Sequence, residues 1–205
     1  MEQDAVKPAK YKTPLRQAQR DLTRSRIKTA ARDLFYEQHY DSTTMDEIAD
    51  AAGLRRSTLY LHYKDKAEIL AEIVADYTPR AQAVLATLPG PGPSVEQVQR
   101  WIRKVANFVA EERVPLSIIL ELRRDTTHIG ALDELTSELI SALGANNPRF
   151  REAARRDADP IERARGLLLF QEMTFTCEQF LIRNNDANFK ALVRVTAEHF
   201  QDFLK

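Results

Sequence analysis

The sequence predicts an all-α protein, and three observations carry that prediction. Apolar residues recur at i, i+3, i+4 and i+7 through most of the chain, the spacing of one helix face. Helix-start patterns repeat, with Thr44–Glu47, Asp65–Glu68 and Ser94–Gln97 each placing a capping oxygen three residues before Glu or Gln. The apolar run 114–122 reads as a buried strand or a helix, and with no partner strand anywhere in the sequence helix is the better reading. About nine helices are expected: three in an N-terminal head and the rest in a helical body.

The elements follow in order. Pro8, Pro14 and a scarcity of apolar residues suggest a flexible basic arm over 1–20, although Thr13-Pro14 also suits an early helix start. Ile27, Ala30, Ala31, Leu34 and Phe35 form one face of the first helix, which should end near Gln38. Thr44 and Glu47 open a short second helix with Ile48, Ala49 and Ala52 inside. Gly53 ends it, because glycine takes the left-handed conformation at little cost. A third helix is expected over about 56–62. A fourth starts at Asp65, and Pro79 should kink it or end it early.

Pro-Gly alternation over 88–94 marks a linker. Ser94 and Gln97 cap a fifth helix, and Pro115 sets the start of a sixth that reaches about Arg124. A seventh spans about 128–143, and a short arginine-rich helix is possible over 149–156. Asp159-Pro160-Ile161-Glu162 is a strong start for a helix over 160–183. That helix is apolar nearly all round, which predicts burial on more than one side. A last helix covers about 188–204. The domains expected are an arm over 1–20, a three-helix head over 21–66 and a body over 67–205.

The 205 residues allow one large domain or a small one fused to a medium one. No apolar run approaches the roughly 20 residues of a membrane span, and the first residues lack a signal-peptide core. The single cysteine, Cys177, excludes an intrachain disulfide framework. A cytoplasmic protein with no membrane partner is the expectation. Net charge is zero, yet residues 1–32 hold nine Lys/Arg and three acids, a balance of +6 that leaves −6 for the rest. A basic front on an acidic remainder suits a nucleic-acid-binding head on a body with another task. A solvated basic tail explains the charge equally well.

Residues 43–66, TTMDEIADAAGLRRSTLYLHYKDK, carry the most information. A capped short helix, a glycine corner and a second short helix fit a helix-turn-helix, whose second helix enters the major groove. Arg55, Arg56, Ser57, Thr58, Tyr60 and His62 are the groove-facing candidates: arginine can donate twice to a guanine edge, and threonine can touch a thymine methyl. Tyr60, His62, Tyr63 and Lys66 suit phosphate contacts. Thr43 and Thr44 stand where a phosphate can also be held. A surface helix pair in an all-helical protein remains the alternative on pattern alone.

Ile48-Ala49, Ala52-Gly53-Leu54 and Thr58-Leu59-Tyr60-Leu61-His62-Tyr63 with Lys66 resemble the TetR family signature, IA-x-x-AG-[VL]-x-x-x-TLY-x-HF-x-x-K. The preceding helix, from Arg24 to Phe35, also resembles the family's first helix. The likeness covers under a quarter of the chain. It implies a three-helix DNA-binding head, a ligand-binding and dimerisation body, and two last helices forming a four-helix bundle across a two-fold. It implies DNA contacts at Thr44, Arg56, Ser57, Thr58, Tyr60, His62 and Lys66. Arg55 departs from the usual capping serine, Ser57 from glycine and Tyr63 from phenylalanine.

The body says less. Trp101, Phe108, Leu120, Phe170, Met173 and Cys177, with Arg123 as a polar neighbour, are candidates to line a pocket for a small apolar or amphipathic effector. At helical spacing such residues more often form core. Cys177 is read as a buried, inert thiol. His39, His62, His128 and His199 lack metal-ligand spacing, and no catalytic motif or cofactor loop is visible, so no metal, cofactor or enzyme activity is expected. The reading is a ligand-responsive repressor that binds a palindromic double-stranded DNA operator as a homodimer, through about 160–184 and 188–204. The alternatives are a helical small-molecule-binding protein or enzyme with a structural head, and a scaffold without DNA affinity.

Overall fold

The computed structural model describes residues 14–122, 129–155, 157–183 and 186–205, with side chains at 120–122, 129–132 and 183 left undescribed. Ten helices and no strand occur among the described residues. They are α1 Pro14–Gln38, α2 Met45–Ala51, α3 Arg56–Tyr60, α4 Lys66–Leu85, α5 Val95–Glu111, α6 Arg113–Leu122, α7 Ile129–Leu143, α8 Pro148–Ala153, α9 Pro160–Arg183 and α10 Ala187–Leu204. The short α8, capped by the Asn147 side chain, is the one beyond the nine expected. The chain divides into two compact units, the first ending at Glu72 and the second running from Ile73 to Lys205. The division falls inside α4.

Several elements differ from expectation. Helix α1 starts at Pro14, so residues 14–20 are its first turns and not part of a loose arm; residues 1–13 lie outside the described residues. Proline at a helix start loses no hydrogen bond and arrives with φ preset. Helix α3 is shorter than expected, and its last turn passes into Leu61 and His62. Helix α4 does not end at Pro79. Tyr77, Ala81 and Leu85 are buried on either side of the proline, and the Thr78 hydroxyl donates to the Val74 carbonyl at 2.8 Å. Packing thus outweighs the missing amide.

In the first unit, Ile27, Ala31 and Phe35 of α1, Ile48 and Ala49 of α2 and Leu59 of α3 are all buried. Thr44 and Glu47 close a full capping box. Gly53 takes φ +63°, the left-handed corner the sequence asks for.

In the second unit, α5, α9 and α10 share one core. Val98, Ile102 and Val105 meet Phe170 and Met173 of α9 and Phe189, Val193 and Phe200 of α10. The buried hydroxyls of Thr176 and Thr196 lie 2.9 Å apart and fix the facing of α9 on α10. The Pro-Gly stretch packs on the end of α10: Gly92 N donates to the Leu204 carbonyl at 3.2 Å, and Gln201 Nε2 donates to the Pro93 carbonyl at 3.1 Å. It is a seated turn within the unit.

Helix α9 is not buried on more than one side. Ile161, Leu168, Phe175 and Ile182 recur every seven residues and are 50–74% exposed. Heptad spacing puts them in one stripe along the helix, an apolar face that nothing covers in the single chain.

Candidate nucleic-acid interface and ligand cavity

The second helix of the motif begins without the usual cap. Arg55 occupies the N-cap in extended conformation and makes no side-chain capping bond. The backbone of the Gly53-Leu54 corner holds instead, with Leu54 N donating to the Ala49 carbonyl at 2.9 Å. Arg26 Nη2 of α1 braces the same corner through the Ala52 carbonyl, 2.6 Å away. Leu59 is buried and pins α3 to the head. That leaves Arg55, Arg56, Ser57 and Tyr60 exposed, with Thr58 and His62 half-buried.

Arg56 donates to Asp46 Oδ2 of α2 at 2.8 Å, and its guanidinium lies 5.5 Å from the Tyr60 ring centroid. Both partners of this ion pair are mostly exposed, so the pair orients more than it stabilises. Thr44 stays exposed at the start of α2. Its hydroxyl serves Glu47, whose carboxyl is lowered below the usual range by the Thr44 backbone amide and then the Thr44 hydroxyl.

The side chains of Thr43, Tyr63 and Lys66 are engaged inside the head. Thr43 is buried and donates to the His39 carbonyl at 2.8 Å. Tyr63 is buried and its hydroxyl donates to Glu72 Oε2 at 2.7 Å. Lys66 Nζ donates to the carbonyls of Tyr40, Asp41 and Thr43 at 2.7, 3.0 and 3.1 Å. His62 has a buried Nδ1 with no hydrogen-bond partner among the described residues. Burial first, and then the charges of Arg20 and Arg24, lower its pKa, so at neutral pH its ring is uncharged.

Sequence reasoning missed Asp46 and Glu72. Glu72 collects Arg24, Lys28 and Tyr63 around one carboxylate. Burial pushes that carboxyl up, and the three donors together outweigh it, holding it at about 2. Neither acid stands near its partner in sequence, so no local pattern reveals the pairing.

In the second unit Phe108, Phe170, Met173 and Cys177 converge on a cavity of about 60 Å³, joined by Tyr77, Thr136 and Thr174. None of its lining residues among the described ones carries a charged side chain. Trp101 is not among them; it packs on Phe200, ring centroids 5.4 Å apart. The Leu120 side chain and Arg123 lie outside the described residues. Cys177 is buried, and burial, then the charge of Glu178, pushes its thiol up to about 12. It is a weakly acidic thiol, not a poised thiolate.

A capped short helix, a left-handed glycine corner and a short helix exposing cations and hydroxyls define a helix-turn-helix head. The family model described as "Bacterial regulatory proteins, tetR family" matches residues 27–73. The regulator AcrR of Shigella flexneri is 45% identical over 51 residues, 25% of this chain and 24% of that protein. The repressor BepR of Brucella suis biovar 1 (strain 1330) is 31% identical over 94 residues, 44% of this chain and 45% of that protein. The first curated relatives are thus matched over only 24% to 48% of their lengths. SmeT, solved as a complex with triclosan, superposes with a TM-score of 0.63 at 18% identity, covering 86% of this chain and 90% of that one. Residues 27–73 of the head are thus similar to the DNA-binding region of the tetR family of bacterial regulators.

Proposed function

We propose that this chain is a cytoplasmic, ligand-responsive transcriptional repressor. It binds a palindromic double-stranded DNA operator as a homodimer and is released by a small, neutral, apolar or amphipathic effector. The observation that carries the reading is α3: a five-residue helix, held by one buried leucine, that leaves two arginines, a serine and a tyrosine exposed on the element a helix-turn-helix offers to the major groove. Arg55, Arg56, Ser57, Thr58 and Tyr60 are the contacts proposed there, with Thr44 at the start of α2 and His62 as an uncharged hydrogen-bonding group at the far end.

The heptad stripe on α9 supports the dimer. Large apolar residues exposed every seven positions on a 24-residue helix suit packing against a second copy of the same helix. Two heads related by a two-fold would then address two half-sites.

The cavity lining, uncharged among the described residues, supports a neutral effector, since an ion beside these groups would lose its hydration unpaired. At about 60 Å³ the cavity is well below the roughly 300–1,000 Å³ of sites for drug-sized molecules. A ligand therefore has to select a wider state of the body. If that state disfavours the operator, binding releases DNA by linkage.

Footprinting on the DNA upstream of the coding sequence tests the proposal. Two protected half-sites related by a two-fold are expected. Uniform cleavage at protein concentrations that saturate any specific site would overturn it.

A further inference from the structure

The first turns of α1 are outside both the family match, which begins at residue 27, and the TLY signature. They carry the start of a row of cations at four-residue spacing: Arg16, Arg20, Arg24 and Lys28. Side chains four apart on a helix are neighbours, and like charges there repel. The two halves of this row meet different fates. Arg24 and Lys28 both pair with Glu72. Arg16 and Arg20 are exposed and have no acidic partner among the described residues. The one acid in the first three turns, Asp21, takes the side-chain amide of Gln17 at 2.8 Å.

The row also has a definite place. Arg24 Nη1 donates to the His62 carbonyl at 2.9 Å, and its guanidinium lies 4.2 Å from the Tyr63 ring centroid. Helix α1 therefore passes the end of the recognition segment. Arg20 is the neighbour one turn earlier, and its charge is felt at His62. Arg16 stands about 12 Å along the axis from Arg24 at 1.5 Å per residue. A major groove is about 12 Å wide. A ridge of that length, starting beside the end of α3, reaches the phosphates that border the groove.

We propose that Arg16 and Arg20 form a second phosphate-binding ridge on the N-terminal extension of α1, gripping the DNA backbone beside the groove that α3 enters. The inference rests on the DNA-binding reading above. The ridge adds affinity and no sequence preference, because phosphates carry no base information. It also accounts for a self-repelling row of cations on an exposed helix: the neutralising charge comes from the nucleic acid.

The test is a salt titration of the full chain on two labelled duplexes, one from the DNA upstream of the coding sequence and one scrambled. Wild type is compared with Arg16→Ala/Arg20→Ala. Each phosphate contact contributes about −0.9 to the slope of log K against log salt. The double variant should flatten the slope by about 1.8 and lose affinity by the same factor on both duplexes. Arg16→Lys/Arg20→Lys should restore the slope, and circular dichroism should show helix content unchanged in both variants. An unchanged slope in the folded double variant, or a loss confined to the upstream duplex, would overturn the ridge. A wild-type chain with no preference for the upstream duplex and no salt-dependent binding to either would instead overturn the DNA-binding reading, and the ridge with it.

Discussion

The ammonium of Lys66 sits 2.7 Å from the carbonyl oxygen of Tyr40 and 4.5 Å from the centroid of that residue's ring. A cation at the first position of α4 thereby closes the turn that follows α1, with Asp41 and Thr43 supplying two more carbonyls. Lys66→Met leaves three carbonyls without this donor, at a cost of about 1–3 kcal/mol. The expected outcome is a lower melting temperature of the head together with weaker DNA binding. Arg56→Ala should weaken DNA binding without moving the melting temperature. Equal melting curves for Lys66→Met and wild type would refute the supporting role.

In the proposed complex Arg56 reads a base, and its exposed pairing with Asp46 is a weak restraint. Arg56→Ala should cost about 1–3 kcal/mol of discrimination at one operator base pair. Asp46→Asn should strengthen binding to all duplexes slightly, since the guanidinium no longer has to leave an acid. Competition assays with single-base operator variants measure both.

The Glu72 carboxyl lies at about 2 in the folded head, against an ordinary 4.5. A carboxylate whose pKa is lower folded than unfolded stabilises the fold fully above about pH 4.5, and loses that contribution as pH falls toward about 2. Discounted for solvent screening at a partly exposed site, the contribution is about 1–2 kcal/mol. Glu72→Gln should lower stability at pH 7 by that amount and flatten the acid limb of a urea-denaturation series between pH 5 and 2. A parallel acid limb in the variant would remove Glu72 as its source.

Phe175→Glu or Leu168→Glu places a charge in the α9 stripe, where residues of the same heptad are exposed in the single chain. Sedimentation should show monomers at micromolar concentration for either variant and dimers for wild type. The variants should keep their helix content, because these side chains are not part of the monomer core. A dimeric Leu168→Glu/Phe175→Glu chain would place the interface elsewhere.

Cys177 is buried and its thiol is pushed up to about 12. Iodoacetamide at pH 8 should leave the native chain unmodified and alkylate it fully in urea. Rapid native alkylation would mean that the cavity opens widely without a ligand.

What the sequence revealed was local. The Thr44–Glu47 and Ser94–Gln97 boxes, the Asp159 cap and the Gly53 corner each involve groups within three residues of one another, and all are present. The missing N-cap at Arg55 was equally legible. What stayed hidden was the use of a side chain by a distant partner. An ammonium donates as readily to a carbonyl as to a phosphate, so the sequence offers Lys66 as a DNA contact and does not reveal the carbonyl acceptors it meets 23 to 26 residues away. Tyr63 and Thr43 follow the same logic. In α9 the composition showed an apolar helix, but only the packing shows which face the body leaves uncovered. Phe108, Phe170, Met173 and Cys177 line one cavity, whereas Trp101 is buried away from it with its ring against Phe200.

The central claim is that α3 presents a DNA-reading surface, and one comparison tests it most directly: binding of wild type and Arg56→Ala to the upstream and scrambled duplexes by fluorescence anisotropy at fixed salt. The account predicts a clear preference of wild type for the upstream duplex and a loss of most of that preference in Arg56→Ala, at an unchanged melting temperature. A wild-type chain that binds both duplexes equally, or a folded Arg56→Ala chain that keeps the full preference, would contradict it.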